Sequence, residues 1–263
     1  QKTAYEIVDC DWSSDVCSSD LDHLTMTLTD PARVATQFEQ LGFNLTPEES
    51  DPRLICFQPA DEDVPNYIDL TEGEFEGFTL AVNVAETKGE ERSQRWENED
   101  GLETEATIVV GDGAGPLPWL PVQHRTPEAF SDPEWIIHPN GALGFIAVHA
   151  IADDPGAAMD ALAKAWSAEG EEIFDGCAVV KTGAVELLIW SPSAYQNEYK
   201  DIEVIAPTRR PTVVGVGIAV ERARPLQALL RANNVPFALA EGDRVLVAPE
   251  QAGGLLIEFL PQN

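Results

Sequence analysis

One pattern occurs four times along the chain: an apolar strand that runs into an acidic residue and is followed by further short elements. The four strands are predicted at residues 23–30, 78–86, 145–154 and 214–221. Amphipathic helices follow three of them, at residues 31–41, 155–168 and 223–233. Two or three more strands complete each copy. Repetition at this spacing predicts a fold assembled from one βαβββ unit used four times.

The second copy is the least regular, because its strand precedes a very polar stretch, residues 87–103, with a weak helical pattern. Residues 125–140 are rich in proline and polar side chains without periodicity, which is typical of a connector. At its end, His138 and Asn140 are expected to shape a turn. We therefore expect an α+β protein whose four modules pair into two cupped, mixed β-sheet domains, residues 22–137 and 138–263.

The first 21 residues have a different origin. Residues 11–21 (DWSSDVCSSDL) back-translate to the read-primer segment of a common short-read sequencing adapter. Residues 1–7 (QKTAYEI) back-translate to the flow-cell end of the same oligonucleotide. A secretion signal is disfavoured, since no apolar segment follows a basic start. We interpret residues 1–21 as a sequencing artefact and expect them to contribute nothing to folding.

Cysteine content points to a reducing compartment. Outside residues 1–21 the chain has only Cys56 and Cys177, too few for a disulfide framework. Both lie in apolar strand contexts, where a buried inert thiol is expected more often than a nucleophile. No apolar run approaches the length needed to span a bilayer. Together these features predict a cytoplasmic protein.

The chain is strongly acidic, and this excludes some partners. Its formal net charge is −30; residues 1–21 carry five acids and one lysine, so about −26 remains for the rest. Such a charge repels nucleic-acid phosphates and anionic membranes, and we expect neither as a partner. The acids are spread along the chain, which favours a role in solubility. The expected partner is a small-molecule ligand, and the expected state is a monomer or a homodimer.

Several stretches resemble the vicinal oxygen chelate superfamily, which includes glyoxalase I, extradiol dioxygenases and bleomycin-resistance proteins. They are DHLTMTLTD with PARVATQFEQLGF near the start, GPLPWLPVQH and HPNGALGF in the middle, and GGLLIEFLP at the end. The chain looks most like two-domain glyoxalase-like domain proteins, in which an HPNGA-type segment introduces the second half. The resemblance extends from Asp22 to the C-terminus and implies cupped sheets that hold a metal or a small ligand.

The resemblance also implies where metal ligands lie: at the first residue of an opening strand and in each last strand. In the first half these positions hold His23, Asp69 and Gln123, whereas Phe78 stands where a second histidine is expected. These three residues are the predicted ligands of one divalent metal, for which Zn, Ni, Co or Mn is suitable. A chain without metal is the alternative. His124 is a possible substitute ligand, although it faces the side opposite to Gln123.

The matched positions do not supply the two histidines and one carboxylate that hold iron in extradiol cleavage, so that reaction is disfavoured. In the second half, Glu186 and Glu258 interrupt apolar strands, where an acid is costly unless paired or functional. Both are therefore candidate catalytic acids or bases, with pairing to an arginine or a solvated cup as the alternative. The last sequence candidates are aromatic residues that form either the wall of a ligand pocket or part of the core: Phe78, Trp119 and Phe145.

Two functions remain open at this point. The first is a metal-dependent lyase or isomerase of the glyoxalase type, in which a metal polarises the vicinal oxygens of a small substrate and a glutamate moves a proton. The second is a metal-free protein that sequesters a small molecule, as bleomycin-resistance proteins do. The missing second histidine at Phe78 counts against the enzyme, and the sequence does not decide between the two.

Overall fold

A computed structural model describes most of the chain. The described residues are 19–262 except 49, 51, 62–63, 85–86, 98–102, 201, 203, 205–206 and 208–209. Most of residues 1–21, the predicted adapter segment, therefore lies outside the described residues. Within the described part, no helix is both long and apolar enough to cross a membrane.

The first half forms one seven-stranded mixed sheet. Its strands are β1 (Ser19–Leu28), β2 (Arg53–Asp61), β3 (Val64–Glu72), β4 (Gly77–Val84), β5 (Glu90–Glu97), β6 (Glu103–Val110) and β7 (Trp119–His124). Their order is β2-β3-β1-β4-β7-β6-β5, with β1 and β4 antiparallel at the centre and the β1–β3 and β4–β7 pairs parallel. Helix α1 (Pro31–Gln40) begins after Asp30, whose carboxylate caps it by accepting from the backbone N–H of Arg33 at 3.0 Å.

The predicted connector contains two short helical elements. A 3-10 helix spans Pro127–Phe130, and helix α2 spans Pro133–Ile136. Their apolar side chains, Phe130 and Trp135, are buried against the first sheet. The segment therefore belongs to the packing of the first half as well as joining it to the second.

The second half repeats the arrangement in an eight-stranded mixed sheet. Its strands are β8 (Ala142–Ile151), β9 (Glu169–Phe174), β10 (Cys177–Thr182), β11 (Val185–Trp190), β12 (Thr212–Val220), β13 (Ala238–Leu239), β14 (Val245–Val247) and β15 (Leu256–Pro261). The order is β13-β14-β15-β12-β8-β11-β10-β9, again with an antiparallel central pair, β8 and β12. The helices are α3 (Pro155–Trp166), α4 (Pro192–Glu198) and α5 (Ala223–Ala232).

The predicted α+β fold with two mixed, curled sheets is confirmed. The second module differs from the βαβββ pattern, because the polar stretch after β4 forms strand β5 at the edge of the sheet. Its polar side chains pair across to β6: Ser93 contacts Thr107 at 3.1 Å, and Arg95 donates to Glu105 at 3.0 Å. An edge strand with a charged, solvated surface explains why this stretch showed no apolar periodicity.

One apolar core joins the two sheets. It includes Leu24 of β1 and Phe38 of α1 from the first half, and Val148 of β8, Leu162 of α3 and Leu230 of α5 from the second. The helix-bearing faces of both sheets thus pack into a common interior. The face of each sheet opposite this interior is called here its cup face.

The last three residues of the predicted adapter segment lie in the sheet. Residues 19–21 extend β1 by pairing with residues 82–84 of β4, and Leu21 is 2% exposed within the common core. Strand pairing is made by the backbone and places few demands on the side chain. A leucine at the inward position is therefore accepted whatever its origin, and Leu21 contributes to the packing of the common core.

Hydrogen bonds of the HPNG segment connect the halves. His138 Nδ1 accepts from the backbone N–H of Asn44 at 3.0 Å, and His138 Nε2 donates to the carbonyl of Cys56 at 2.9 Å. The side-chain amide of Asn140 donates to the carbonyl of Leu41 at 3.1 Å. Both imidazole nitrogens of His138 are satisfied only in the neutral form, which fixes one tautomer in the folded protein.

Acid should therefore weaken the fold through His138. Burial lowers the pKa of this imidazole to about 4, although the hydrogen bond to Cys56 opposes the shift. An unfolded histidine titrates near pH 6.5. The contribution of His138 to the free energy of unfolding is therefore complete above about pH 6.5 and is lost as the pH falls towards 4. Between pH 7 and pH 4 the parent chain should lose about 3 kcal/mol more than a His138→Gln variant, measured by urea unfolding. Equal losses in the two proteins would contradict this assignment.

Candidate metal centre and a buried ionic network

A β-bulge at the start of β1 brings two successive side chains together. The pairing of β1 with β4 shifts between Leu21 and His23, which leaves Asp22 as the extra residue. Successive strand residues ordinarily face opposite sides of a sheet. Here Asp22 Oδ1 lies only 2.6 Å from His23 Nδ1. The bulge therefore allows an acid and an imidazole at adjacent positions to act as one unit.

His124, the last residue of β7, completes this group. Its Nε2 atom lies 2.9 Å from Asp22 Oδ1. All three side chains are buried, and each offers a potential ligand atom within 4.8 Å of the others. One carboxylate and two imidazoles form a donor set that suits first-row divalent metals. This group of Asp22, His23 and His124 is the candidate metal centre of the described residues.

Two atoms of the candidate centre have no hydrogen-bond partner among the described residues: Asp22 Oδ2 and His124 Nδ1. Most buried polar atoms are paired, and each unpaired one costs about 1–3 kcal/mol. When His124 donates through Nε2 to Asp22, its Nδ1 presents a lone pair, as does the second carboxylate oxygen. Both are electron-pair donors of the kind a cation accepts. The chemistry of the residues therefore fits a divalent metal.

The electrostatic surroundings keep the Asp22 carboxyl ionised. Burial by itself raises the pKa of this group. Electrostatic attraction to His124 and His23, together with the hydrogen bonds that they donate, outweighs burial and lowers the pKa of Asp22 below its usual value. The ionised form is the one that accepts both N–H groups and the one that binds metal ions.

Aromatic rings enclose the candidate centre. Tyr67 stacks on His23 with ring centroids 4.1 Å apart, and on its other side it stacks on Phe130 at 4.6 Å. Phe130 also meets the ring of His124 edge-on at 4.9 Å. Phe130 and Trp135 come from the connector, and they cover the first cup face with apolar surface. We call residues 127–136 the first plug.

The structure places the predicted ligands in different surroundings. His23 belongs to the candidate centre. Asp69 lies opposite Thr25 in the β1–β3 register and accepts hydrogen bonds from the hydroxyls of Thr25 at 3.4 Å and Thr71 at 2.5 Å. Asp69 is not a member of the group of three formed around His23. Gln123 precedes His124 on β7, so its side chain points to the opposite face.

Sequence reasoning missed Asp22 and gave His124 only a secondary role. Both residues adjoin positions that the sequence had singled out, one before His23 and the other after Gln123. Strict alternation along β1 would separate Asp22 from His23, whereas alternation holds on β7, where His124 contacts Asp22 from the face opposite to Gln123. A bulge is a feature of strand pairing, and one strand's sequence does not reveal it.

In the second half, Glu258 of β15 is the centre of a buried ionic network. Arg244 Nη1 donates to its Oε1 at 2.6 Å, Tyr199 donates to its Oε2 at 2.9 Å, and His149 Nε2 lies 3.4 Å from Oε2. Arg244 donates from Nη2 to Glu198 at 2.9 Å. Burial disfavours the charged Arg244, but the two glutamates raise its pKa above the usual value. The arginine partner considered for Glu258 is therefore present.

The other predicted site residues lie apart from the candidate centre. Glu186 of β11 is buried at a position that pairs with Ala147 of β8, on the other sheet. Three aromatic residues pack in or against the common core: Phe78, Trp119 and Phe145. These rings therefore face the sheet interior, so they do not line either cup face.

Both thiols have the character expected of inert cysteines. Cys56 and Cys177 are buried and unpaired with each other. Burial raises the pKa of both, and that of Cys177 to about 12. Since the thiolate is the nucleophile, neither side chain is suited to covalent chemistry at neutral pH.

Removing the arginine of the network should destabilise the protein strongly. Arg244→Met leaves the fully buried Glu258 without its cation, and we expect a loss of about 3–5 kcal/mol in the free energy of unfolding. Arg92→Met is the matched control, because Arg92 is exposed and its contact with Glu90 is 3.5 Å. This control should change the free energy by no more than about 0.5 kcal/mol in the same urea titration. Equal effects of the two substitutions would contradict a structural role for the network.

Comparison with known proteins gives information on the fold. No family model and no curated protein matches the sequence. A hypothetical protein from Staphylococcus aureus matches over 92% of this chain and 99% of its own, with a TM-score of 0.57 and 9% identity. An extradiol ring-cleaving dioxygenase from B. fuscum matches over 95% and 72%, with a TM-score of 0.52 and 13% identity.

A third match is a xylose isomerase-like TIM barrel/4-hydroxyphenylpyruvate dioxygenase fusion protein. It aligns with 91% of this chain, which spans about half (48%) of the fusion protein, at a TM-score of 0.52 and 10% identity. Identities this low establish shared architecture. The fold that the resemblance implied is thereby confirmed, since the chain shares its architecture with an extradiol ring-cleaving dioxygenase.

Proposed function

We propose that this chain is a glyoxalase-like vicinal oxygen chelate protein that holds one divalent metal in its first half and acts as a lyase or isomerase on a small substrate with vicinal oxygens. The observation that supports this most is the buried group of Asp22, His23 and His124, in which two acceptor atoms lack partners. The proposal replaces Asp69 and Gln123 in the predicted ligand set with Asp22 and His124.

The side chains around the centre have distinct parts in this proposal. When bound, the metal supplies Lewis-acid polarisation of substrate oxygens. Asp22 and the two imidazoles provide the ligand atoms, and Tyr67 fixes the ring plane of His23 by stacking on it. Phe130 of the first plug excludes water from the centre, so a substrate gains access when the plug moves away. Glu186 and Glu258 lie on the other sheet and have no part here.

A metal-free small-molecule binder is the second candidate, and two observations favour it. The three side chains already hold one another through hydrogen bonds of 2.6 and 2.9 Å to Asp22 Oδ1, without an ion. The first plug also fills the cup face with Phe130 and Trp135. In this alternative the group of three serves the packing of the sheet, and the ligand binds elsewhere.

Metal retention distinguishes the two candidates. The purified chain is loaded with Co²⁺, dialysed and analysed by plasma mass spectrometry, and about one equivalent is expected to remain. His124→Gln removes one of two imidazoles and should weaken retention by roughly tenfold or more, as even outer-shell changes do at metal sites. Asp69→Asn is the control and should retain the metal like the parent.

The outcomes separate the possible ligand sets. Loss of cobalt in Asp69→Asn with full retention in His124→Gln would restore the set predicted from the sequence. Absence of retention in the folded parent would favour the metal-free binder. Thermal unfolding of each variant verifies that a lost ion does not reflect a lost fold.

A further inference from the structure

The second cup face is covered by a segment of the same chain. Tyr195 of α4 and Tyr199, the residue at its C-terminal cap, are buried against Trp190, Val214 and Leu256 of the sheet. This covering segment differs from the first plug, which packs on the first sheet through the apolar side chains of Phe130 and Trp135. The second segment brings a carboxylate and a phenol to a buried ionic network.

The groups that α4 supplies resemble those of a small ligand. Glu198 places its carboxylate on Arg244 Nη2 at 2.9 Å, and the adjacent Tyr199 places its hydroxyl 2.9 Å from Glu258 Oε2. The Tyr199 ring meets His149 edge-on at 5.7 Å and Trp190 at 6.1 Å. A negative charge and an aromatic ring are thus held side by side in the cup.

The complementary groups lie outside α4, on strands of the sheet or next to them. His149 lies on β8, Trp190 on β11 and Glu258 on β15, while Arg244 immediately precedes β14. Arg244 is held by Glu258 at 2.6 Å and by the carbonyl of Glu241 at 3.0 Å. The Nη2 atom of Arg244 points to the carboxylate of Glu198. Arginine held in this way is well suited to recognising carboxylates.

We propose that α4 is an intramolecular ligand of the second cup, and that the cup binds a small aryl carboxylate when α4 is displaced. The ligand carboxylate takes the place of Glu198 on Arg244, and its ring takes the place of Tyr199 between His149 and Trp190. Because α4 and the ligand compete, the apparent affinity of the intact protein is reduced by the fraction of molecules in which the cup is closed. This site lies on the other sheet from the candidate metal centre and does not rest on the function proposed above.

Benzoate and its neutral isostere benzamide test the proposal by isothermal titration calorimetry on the full chain. Benzoate should bind to the parent weakly, and Glu198→Gln, which weakens the hold of α4 on Arg244, should increase benzoate affinity at least tenfold. Glu172→Gln is the control, because it removes the same charge from an exposed position. Tyr199→Phe tests the second contact of the covering segment independently, and it too should bind benzoate more tightly than the parent.

Hydrogen exchange locates the binding. Saturating benzoate should accelerate amide exchange in residues 194–199 of the parent by tenfold or more, since the helix is displaced. Benzamide should neither bind in the calorimeter nor accelerate this exchange. Unchanged benzoate affinity in both Glu198→Gln and Tyr199→Phe overturns the proposal, as does equal binding of benzamide, or benzoate binding that leaves exchange in residues 194–199 unaltered.

Discussion

The hydrogen bonds that converge on the Asp22 carboxylate organise the candidate site of the first half. A single carboxylate oxygen contacts both His23 and His124, which belong to β1 and β7, the first and last strands of this sheet in chain order. A bulge in β1 makes this convergence possible, because it directs two successive side chains to one place. The candidate metal centre is therefore a product of strand register, and the rings of Tyr67 and Phe130 are arranged around it.

The two cup faces differ in whether their buried polar atoms have hydrogen-bond partners. In the second half, both oxygens of Glu258 have partners, supplied by Arg244 and Tyr199. In the first half, Asp22 Oδ2 and His124 Nδ1 have none among the described residues. A satisfied ionic network is complete without any further species, whereas unpaired electron-pair donors call for a cation. This contrast is the physical reason for proposing a metal site on the first sheet.

The sequence predicted the architecture well, since apolar strands and amphipathic helices are local patterns and their repetition identifies the module. It failed where the outcome depends on pairing between distant segments. The polar stretch after β4 was read as a weak helix, and its cross-strand partners on β6 make it an edge strand. The connector lacked periodicity, yet Phe130 and Trp135 find buried positions that only the folded sheet provides.

The residues of the candidate site divide in the same way, into those that a local pattern predicts and those that depend on pairing between distant segments. His23 could be found because it opens a strand in a segment resembling a known superfamily. Asp22 could not be placed, since alternation along β1 assigns it to the face opposite His23. His124 had only a secondary role, because the resemblance pointed to its neighbour Gln123 as the ligand. Glu258 was recognised as an acid on an apolar face, and the arginine considered for it is Arg244, fourteen positions away on a separate turn.

X-ray diffraction from crystals grown with Co²⁺, recorded at the cobalt absorption edge, tests the central claim most directly. The account predicts one anomalous peak in the first half, at about 2.0–2.2 Å from one atom each of Asp22, His23 and His124. A peak bonded to Asp69 without His124 would contradict it, and so would a well-ordered group of three side chains with no peak between them.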